Sequence, residues 1–389
     1  HFTLKASYSL TADRGPADVT NSQAIITSYS PYRPFTSIQE SGLYIKELEN
    51  SELTYEKKHE LNIGADMGFL NNRINLAVDW YKRNNYDLIG IVNTQGAGGQ
   101  ILKYANIASM KSHGIEFTLS TKNIKTKDFN WNTDFIFSNA KNEVTDLKQN
   151  ANVMELISGN GFAKQGYPVR GLFSIPFVGL DKDGIPVIIN EKGEATSTDI
   201  NFQERQNTGF LKYEGPTDPT ITGSLGNMFS YKGFRLNLFI TYSFGNVIRL
   251  NPVFKAHYSD LTAMTREFKN RWTLPGDEAK TNVPAILSKR MYDSNEDLKY
   301  AYNAYNYSTE RIAKGDFIRL KEISLAYDFP KAWINPLKLT DLSLKVQATN
   351  LFLIYADDKL NGQDPEFFNA GGVASPVPRQ FTITLRLGL

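Results

Sequence analysis

The chain has 389 residues and a formal charge of +2, a balance that argues against a nucleic-acid or other polyanionic partner. It has no cysteine, which excludes disulfides and thiolate metal sites, and its four histidines (His1, His59, His113, His257) are scattered without metal-ligand spacing. No apolar run approaches the ~20 residues of a membrane helix.

The first predicted strand begins at once. Phe2, Leu4, Ala6, Tyr8 and Leu10 alternate with polar or small residues, the period of a strand with one apolar face. Opening in mid-strand and without a signal peptide, the sequence reads as the C-terminal part of a longer polypeptide. In 60–69 the apolar positions are Leu61, Ile63, Ala65, Met67 and Phe69. Asn71-Asn72 then predicts a tight hairpin, because Asn tolerates positive φ. The return strand carries Ile74, Leu76, Val78 and Trp80 on one face, with Arg73, Asn75, Asp79 and Tyr81 on the other. The pattern recurs in 113–122 (Ile115, Phe117, Leu119), in 129–139 (Trp131, Phe135, Phe137) and more weakly in 221–232 (Ile221, Leu225, Phe229). It is clearest in 233–245, where Phe234, Leu236, Leu238, Ile240, Tyr242 and Phe244 alternate. In 317–329, Ile323, Leu325, Tyr327 and Phe329 follow a phase slip near Ile318 that predicts a bulge. Leu342, Leu344, Val346 and Ala348 make a ninth strand, and Phe381, Ile383, Leu385, Leu387 and Leu389 a tenth that runs to the last residue.

Connections alternate in length. Short ones are expected near 70–72, 123–126, 231–233 and 330–337, and long ones over roughly 12–54, 86–112, 141–218, 248–314 and 353–378. If every strand reverses direction, short turns gather at one end and long loops at the other. That asymmetry predicts an all-β chain forming part of a transmembrane antiparallel β-barrel with long extracellular loops. A last strand then has a reason to end the chain, since a barrel must pair it with the first to abolish the edge. A soluble β-sandwich is the rival, but its strands should be shorter, and five loops of more than 20 residues would be hard to justify. In the barrel register Leu76, Val78, Leu236, Leu238, Ile240, Leu344, Val346, Ile383 and Leu385 face lipid, while Asn75, Asp79, Arg235, Asn237, Lys345 and Gln347 face the interior.

No catalytic constellation emerges. The glycine-rich 95–100, QGAGGQ, lacks the Lys-Ser/Thr ending and the helix of a phosphate loop and reads as a loop tip. The 181–184 stretch, DKDG, begins like a calcium loop but has Lys192 where the twelfth-position Glu belongs, so a tight Asp-Gly turn is the simpler reading. Trp80-Tyr81 reads as an interfacial girdle. The candidate ligand or lid contacts are loop aromatics: Tyr29, Tyr32 and Phe35, then Tyr292, Tyr300, Tyr302, Tyr305 and Tyr307. Their rings suit stacking on sugars or packing on a partner protein, though packing of loop on loop would use the same residues.

At these residues the chain resembles the SusC-like (RagA/SusC) TonB-dependent outer-membrane transporters of the Bacteroidetes. The likeness follows the order of the chain: 53–89 around "NIGAD" and "VDWYKRNNYDLI"; 105–147 around "HGIEF", "FNWNTDF" and "NAKNEV"; 213–245 around "YKGFRLNLFITYSFG". It continues through "NRWTLPGD" (270–277), "GDFIRLKEISLAYDFP" (315–330), "ATNLF" (348–352) and "DPE" (364–366). Residues 11–54 match only loosely, and the chain finishes on Leu389 where the family usually has an aromatic residue.

The resemblance implies that residues 1–389 are the C-terminal part of a 22-stranded barrel, about its last ten strands, with the N-terminal extension, plug and first barrel half absent. It implies active import of a nutrient, an oligosaccharide or else a peptide, and no enzyme activity, cofactor or metal. A SusD-like surface lipoprotein would form the lid, and TonB would drive import through the missing N-terminal part. Lipid and lipopolysaccharide would surround the barrel, and two SusC/SusD pairs would associate as a dimer. A passive porin and a structural subunit of a larger outer-membrane assembly are the alternatives.

Overall fold

The computed structural model describes residues 1–15, 23–30, 41–96, 101–255, 264–368 and 377–388. One antiparallel sheet of ten strands dominates it. In chain order these are β1 (Phe2–Asp13), β2 (Glu56–Phe69), β3 (Ile74–Asn93), β4 (Leu102–Lys125), β5 (Phe129–Leu147), β6 (Ile221–Tyr231), β7 (Phe234–Phe244), β8 (Phe317–Asp328), β9 (Asp341–Ala356) and β10 (Gln380–Gly388). Each pairs with its sequence neighbour, so the sheet is an uninterrupted meander with β1 and β10 at its edges. No helix of the described residues is long and apolar enough to cross a membrane.

The alternation becomes geometry through the register. Leu76 lies opposite Met67 and Leu119, and Val78 opposite Ala65 and Phe117. Further along, Leu236 faces Phe229 and Leu325, and Val346 faces Leu325 and Ile383. Directly opposed residues share a face, so these rows join into one apolar surface across all ten strands. The other surface carries Asn75, Asp79, Arg235, Asn237, Lys345 and Gln347, opposed by Ser120, Glu116, Ser230, Ser324, Thr384 and Thr382. The hairpin at 70–73 uses Leu70, Asn71 and Asn72 at positive φ, two of them the residue type best suited to it.

Near the short-turn end an aromatic row crosses four strands: Phe129 opposite Tyr231, Tyr231 opposite Phe234, Phe234 opposite Tyr327. The last two rings sit 4.3 Å apart. From Phe234 to Phe244 the apolar face extends roughly 33 Å at ~3.3 Å per residue. At a strand tilt of ~40° that projects to about 25 Å, the height of a barrel's apolar band.

One expectation changes. The long loop expected over 86–112 is mostly strand: β3 runs to Asn93 and β4 starts at Leu102. The pairing slips between Asn85 and Leu88, where Asp87 takes positive φ, and this breaks the period that pattern reading needs. The pairing of β8 with β9 shifts between Ile318 and Arg319, where the phase slip predicts it, and shifts again at Lys321, which has no register partner in β7 or β9. Trp80 lies on the apolar face opposite Ile63 and Ile115, whereas Tyr81 points to the other side and lies across Gly114. A Cβ at Gly114 would meet that ring at 2.6 Å, so the glycine makes room for it.

The buried core lies in the loops. Residues 148–220 contain α1 (Val153–Ile157) and several short strands, and 245–316 contain α2 (Lys289–Ser294) and α3 (Glu296–Asn306). Val153, Leu156, Ile157, Phe173, Ile175, Ile188, Phe202 and Leu211 pack with Ala304 of α3 in one cluster.

Candidate functional site

Two surfaces can meet a solute: the polar face of the sheet and the loop body above its long-loop end. The polar face is charged and internally paired. Lys5 contacts Asp66 at 2.8 Å, Arg235 contacts Asp328 at 2.9 Å, and Ser120 donates to Asp134 at 2.6 Å. At its upper end Arg319 is buried beside Asp364 (2.5 Å) and Glu366 (3.3 Å). The "DPE" segment therefore reaches back onto β8. This ion cluster stands between two open cavities. One of about 700 Å³ is lined by Arg266, Arg319, Asn350, Tyr355, Asp364 and Arg379. The other, of about 630 Å³, is lined by Arg170, Asp218, Thr241, Tyr242, Lys321 and Glu366. Both have the size and polarity to hold a short oligosaccharide or peptide.

Arg249 ties the loop body together. Its guanidinium donates to the carbonyls of Phe173 (2.6 Å), Ser308 (2.8 Å) and Ile157 (3.3 Å), joining both long loops. Burial lowers its pKa to about 9, opposed by Glu214, so it stays charged at neutral pH. Arg311 adds a second link through Glu267 and the carbonyl of Asn251. Asn306, closing α3, accepts from the N–H groups of Val253 and Phe254, both at 3.1 Å.

Two sequence motifs meet in this body. Residues 181–185 form a tight turn in which the Asp181 carboxylate accepts from the N–H groups of Asp183 and Ile185. That oxygen is thereby committed to backbone, and among the described residues no three His, Cys, Asp or Glu side chains gather to hold a metal. Gly184 has φ 75° and lies under the indole of Trp272, which a Cβ would strike at 2.6 Å. Trp272 in turn donates to Glu278 at 3.0 Å, and Asp277 caps the 273–277 turn through Thr273 and Leu274. "NRWTLPGD" is thus a self-capped turn seated on "DKDG". Of the 95–100 loop tip, residues 97–100 lie outside the described residues.

The candidate aromatics separate by position. Tyr29 is exposed in the hairpin Ile25–Tyr29 with Gly42–Glu47, edge-on to Tyr44 at 5.5 Å. Tyr32 and Phe35 lie outside the described residues. Tyr300 is 43% exposed on α3 and packs on Phe202. Tyr302 and Tyr305 are 1% exposed, against Phe254 (4.7 Å) and Phe177 (5.4 Å). Together with Leu298 and Ala301 they form the buried face of α3, so loop-on-loop packing consumes their rings. Burial raises the pKa of Tyr305. Tyr292 is half-buried beside Phe254 and beneath the Lys299 ammonium, and Tyr307 lies under Arg249. Sequence reasoning missed Arg249 and the Arg319–Asp364 pair, whose partners are 45 or more residues away.

The described residues thus form an open antiparallel meander with one apolar face, a charged opposite face and large loops at one end. No family model matches the chain. It is 25% identical over 382 residues to TonB-dependent receptor P3 of Formosa agariphila, covering 93% of this chain and 35% of that protein. It is 27% identical over 360 residues to TonB-dependent receptor SusC of Bacteroides thetaiotaomicron, covering 87% of this chain and 32% of that one. A structure of the RagAB peptide transporter superposes with a TM-score of 0.74 at 24% identity, over 99% of this chain and 40% of that chain. The chain is a homologue of the SusC-like TonB-dependent receptors of Bacteroidetes, and spans about a third to two fifths of the length of those it matches.

Proposed function

We propose that this chain is part of the barrel of an outer-membrane importer that takes up an oligosaccharide, driven by TonB and lidded by a SusD-like lipoprotein seated on the long loops. The carrying observation is the inversion of burial. The sheet's apolar face is open, with Ile63, Leu325 and Val346, on the non-edge strands β2, β8 and β9, each more than 40% exposed, while the buried core sits in the loops. Such a face belongs in lipid. The opposite face then lines an aqueous lumen, and import through it needs neither catalytic group nor cofactor. In this reading the ten strands are the last ten of 22, and Tyr29 and Tyr300 are the aromatics best placed to meet ligand or lid.

Peptide import is the second reading, favoured by the likeness to a protein described as a peptide transporter. Gentle purification of the native protein from outer membrane tests the assembly. Recovery of a lipoprotein in equal amount, together with uptake that stops when the proton gradient is collapsed, is the expected result. Uptake indifferent to the gradient, with no lipoprotein partner, would leave a passive porin. Stable partners without any uptake would leave a structural subunit.

A further inference from the structure

We propose that the cleft where residues 147–165 meet 205–208 is a subsite for the carboxylate of an acidic sugar unit; this rests on the reading of the protein as part of a glycan importer. The cleft is a cavity of about 180 Å³ lined by Lys164, Arg205, Gln149, Asn150, Gln206 and Thr208. That is room for one sugar ring, and too little for a folded partner.

Its chemistry is set by Lys164. The ammonium donates to Thr208 Oγ1 at 3.1 Å and to the Thr208 carbonyl at 3.4 Å, and rests over the rings of Phe173 (4.9 Å) and Tyr167 (5.7 Å). Among the described residues no carboxylate lies within ion-pair distance of it. Burial lowers its pKa, the response expected of a cation short of a counter-charge. An ammonium has three donors, so one N–H remains for an anion.

Arg205 supplies the second cation. One of its nitrogens donates to the Asn150 carbonyl at 2.9 Å, and Glu155 lies 3.9 Å away. That carboxylate is engaged elsewhere, accepting from the N–H of Asn152 at 2.7 Å to cap α1. Glu204, the other acid nearby, accepts from the backbone N–H groups of Gln206 and Asn207 through one carboxylate oxygen. Two cations thus line the cavity, Lys164 without an ion pair among the described residues and Arg205 with a long one of 3.9 Å to Glu155. The rim of Gln149, Asn150 and Gln206 adds amides, which both donate to and accept from hydroxyls. A carboxylate beside ring hydroxyls matches this set, and an apolar or cationic group does not.

The test is calorimetric binding to the full-length protein, purified in detergent without any energy source, with D-galacturonate, galactose and glutamate as probes. Galacturonate should bind at least tenfold more tightly than either of the others. Lys164→Gln and Arg205→Gln should each weaken it at least tenfold, whereas Lys164→Arg retains it. Galacturonate binding unchanged by Lys164→Gln, or matched by galactose, overturns the subsite. Equal binding of glutamate overturns the sugar assignment. Should Lys164→Gln fail to show the heat-dependent gel mobility of a folded barrel, Arg205→Gln and Lys164→Arg decide. Because no uptake is measured, failure of the importer reading would leave these affinities intact, and failure of the subsite would leave uptake intact.

Discussion

Asp364 stands beside a guanidinium that has almost no access to water. Arg319 and Asp364 side chains are each 5% exposed, and Glu366 is more open at 40%. Removing one partner of such a pair leaves an uncompensated buried charge, which costs about 3–5 kcal/mol, whereas replacing both with apolar groups is often close to neutral. Arg319→Met, which leaves the buried Asp364 carboxylate without its counter-charge, should therefore lower the thermal midpoint of the folded protein sharply, and the double variant Arg319→Met with Asp364→Leu should recover most of the loss. Differential scanning calorimetry in detergent reads both. Titration enters at the neighbouring turn. Hydrogen bonds from Leu274 and Thr273 lower the pKa of Asp277, and the indole of Trp272 lowers that of Glu278. A depressed carboxylate pKa stabilises above the ordinary carboxylate range, and that contribution is lost as pH falls through the lowered value. Acidification should thus release Trp272 from Gly184, seen as a fluorescence change that Asp277→Asn shifts or abolishes. An acid titration flat in the unmodified protein would disprove the cap.

At the scale of a single strand the two faces make opposite demands. Leu238 of β7 lies opposite Ile323 on the apolar face, and Asn237 lies opposite Ser324 on the other. An arginine on a lipid-facing midplane site costs roughly 2–4 kcal/mol. Leu238→Arg should accordingly reduce folding into bilayers by that amount, while Asn237→Arg folds normally; equal effects would put the register on the wrong face. This alternation was legible in the sequence because a strand sends successive side chains to opposite faces and the two faces here differ in polarity. Towards the long-loop end the period breaks. In 86–93, Leu88, Ile89, Ile91 and Val92 follow no single phase, and the continuation of β3 went unseen. The loop body was less legible still, since Arg249 and Arg319 reach across the fold to partners that no local pattern indicates. Only glycines hinted at it. Gly184 in "DKDG" marks the place where Trp272 comes down on the backbone, although sequence alone gives the turn and not the partner.

For the whole molecule the decisive feature is the pair of sheet edges. Within the described residues β1 pairs only with β2, and β10 only with β9, so each turns a row of N–H and C=O groups outward. β10 has nine residues and β1 twelve, and about half of those backbone groups point away from the existing partner. A backbone polar group carried into an apolar medium without a partner costs roughly 2–7 kcal/mol, so the summed penalty far exceeds the ~5–15 kcal/mol by which domains are stable. Spanning sheets are therefore closed, and in the proposed reading these two edges meet the strands of the rest of the barrel. The 389-residue chain produced alone should consequently fail to give a heat-modifiable monomer in detergent or bilayers, and should self-associate through its edges. The intact protein from native membrane should give the monomeric barrel. Gel mobility before and after boiling, combined with light scattering, separates the outcomes. A monodisperse, heat-modifiable monomer of the isolated chain would mean that β1 and β10 pair with each other, and a ten-stranded barrel would then replace the larger one.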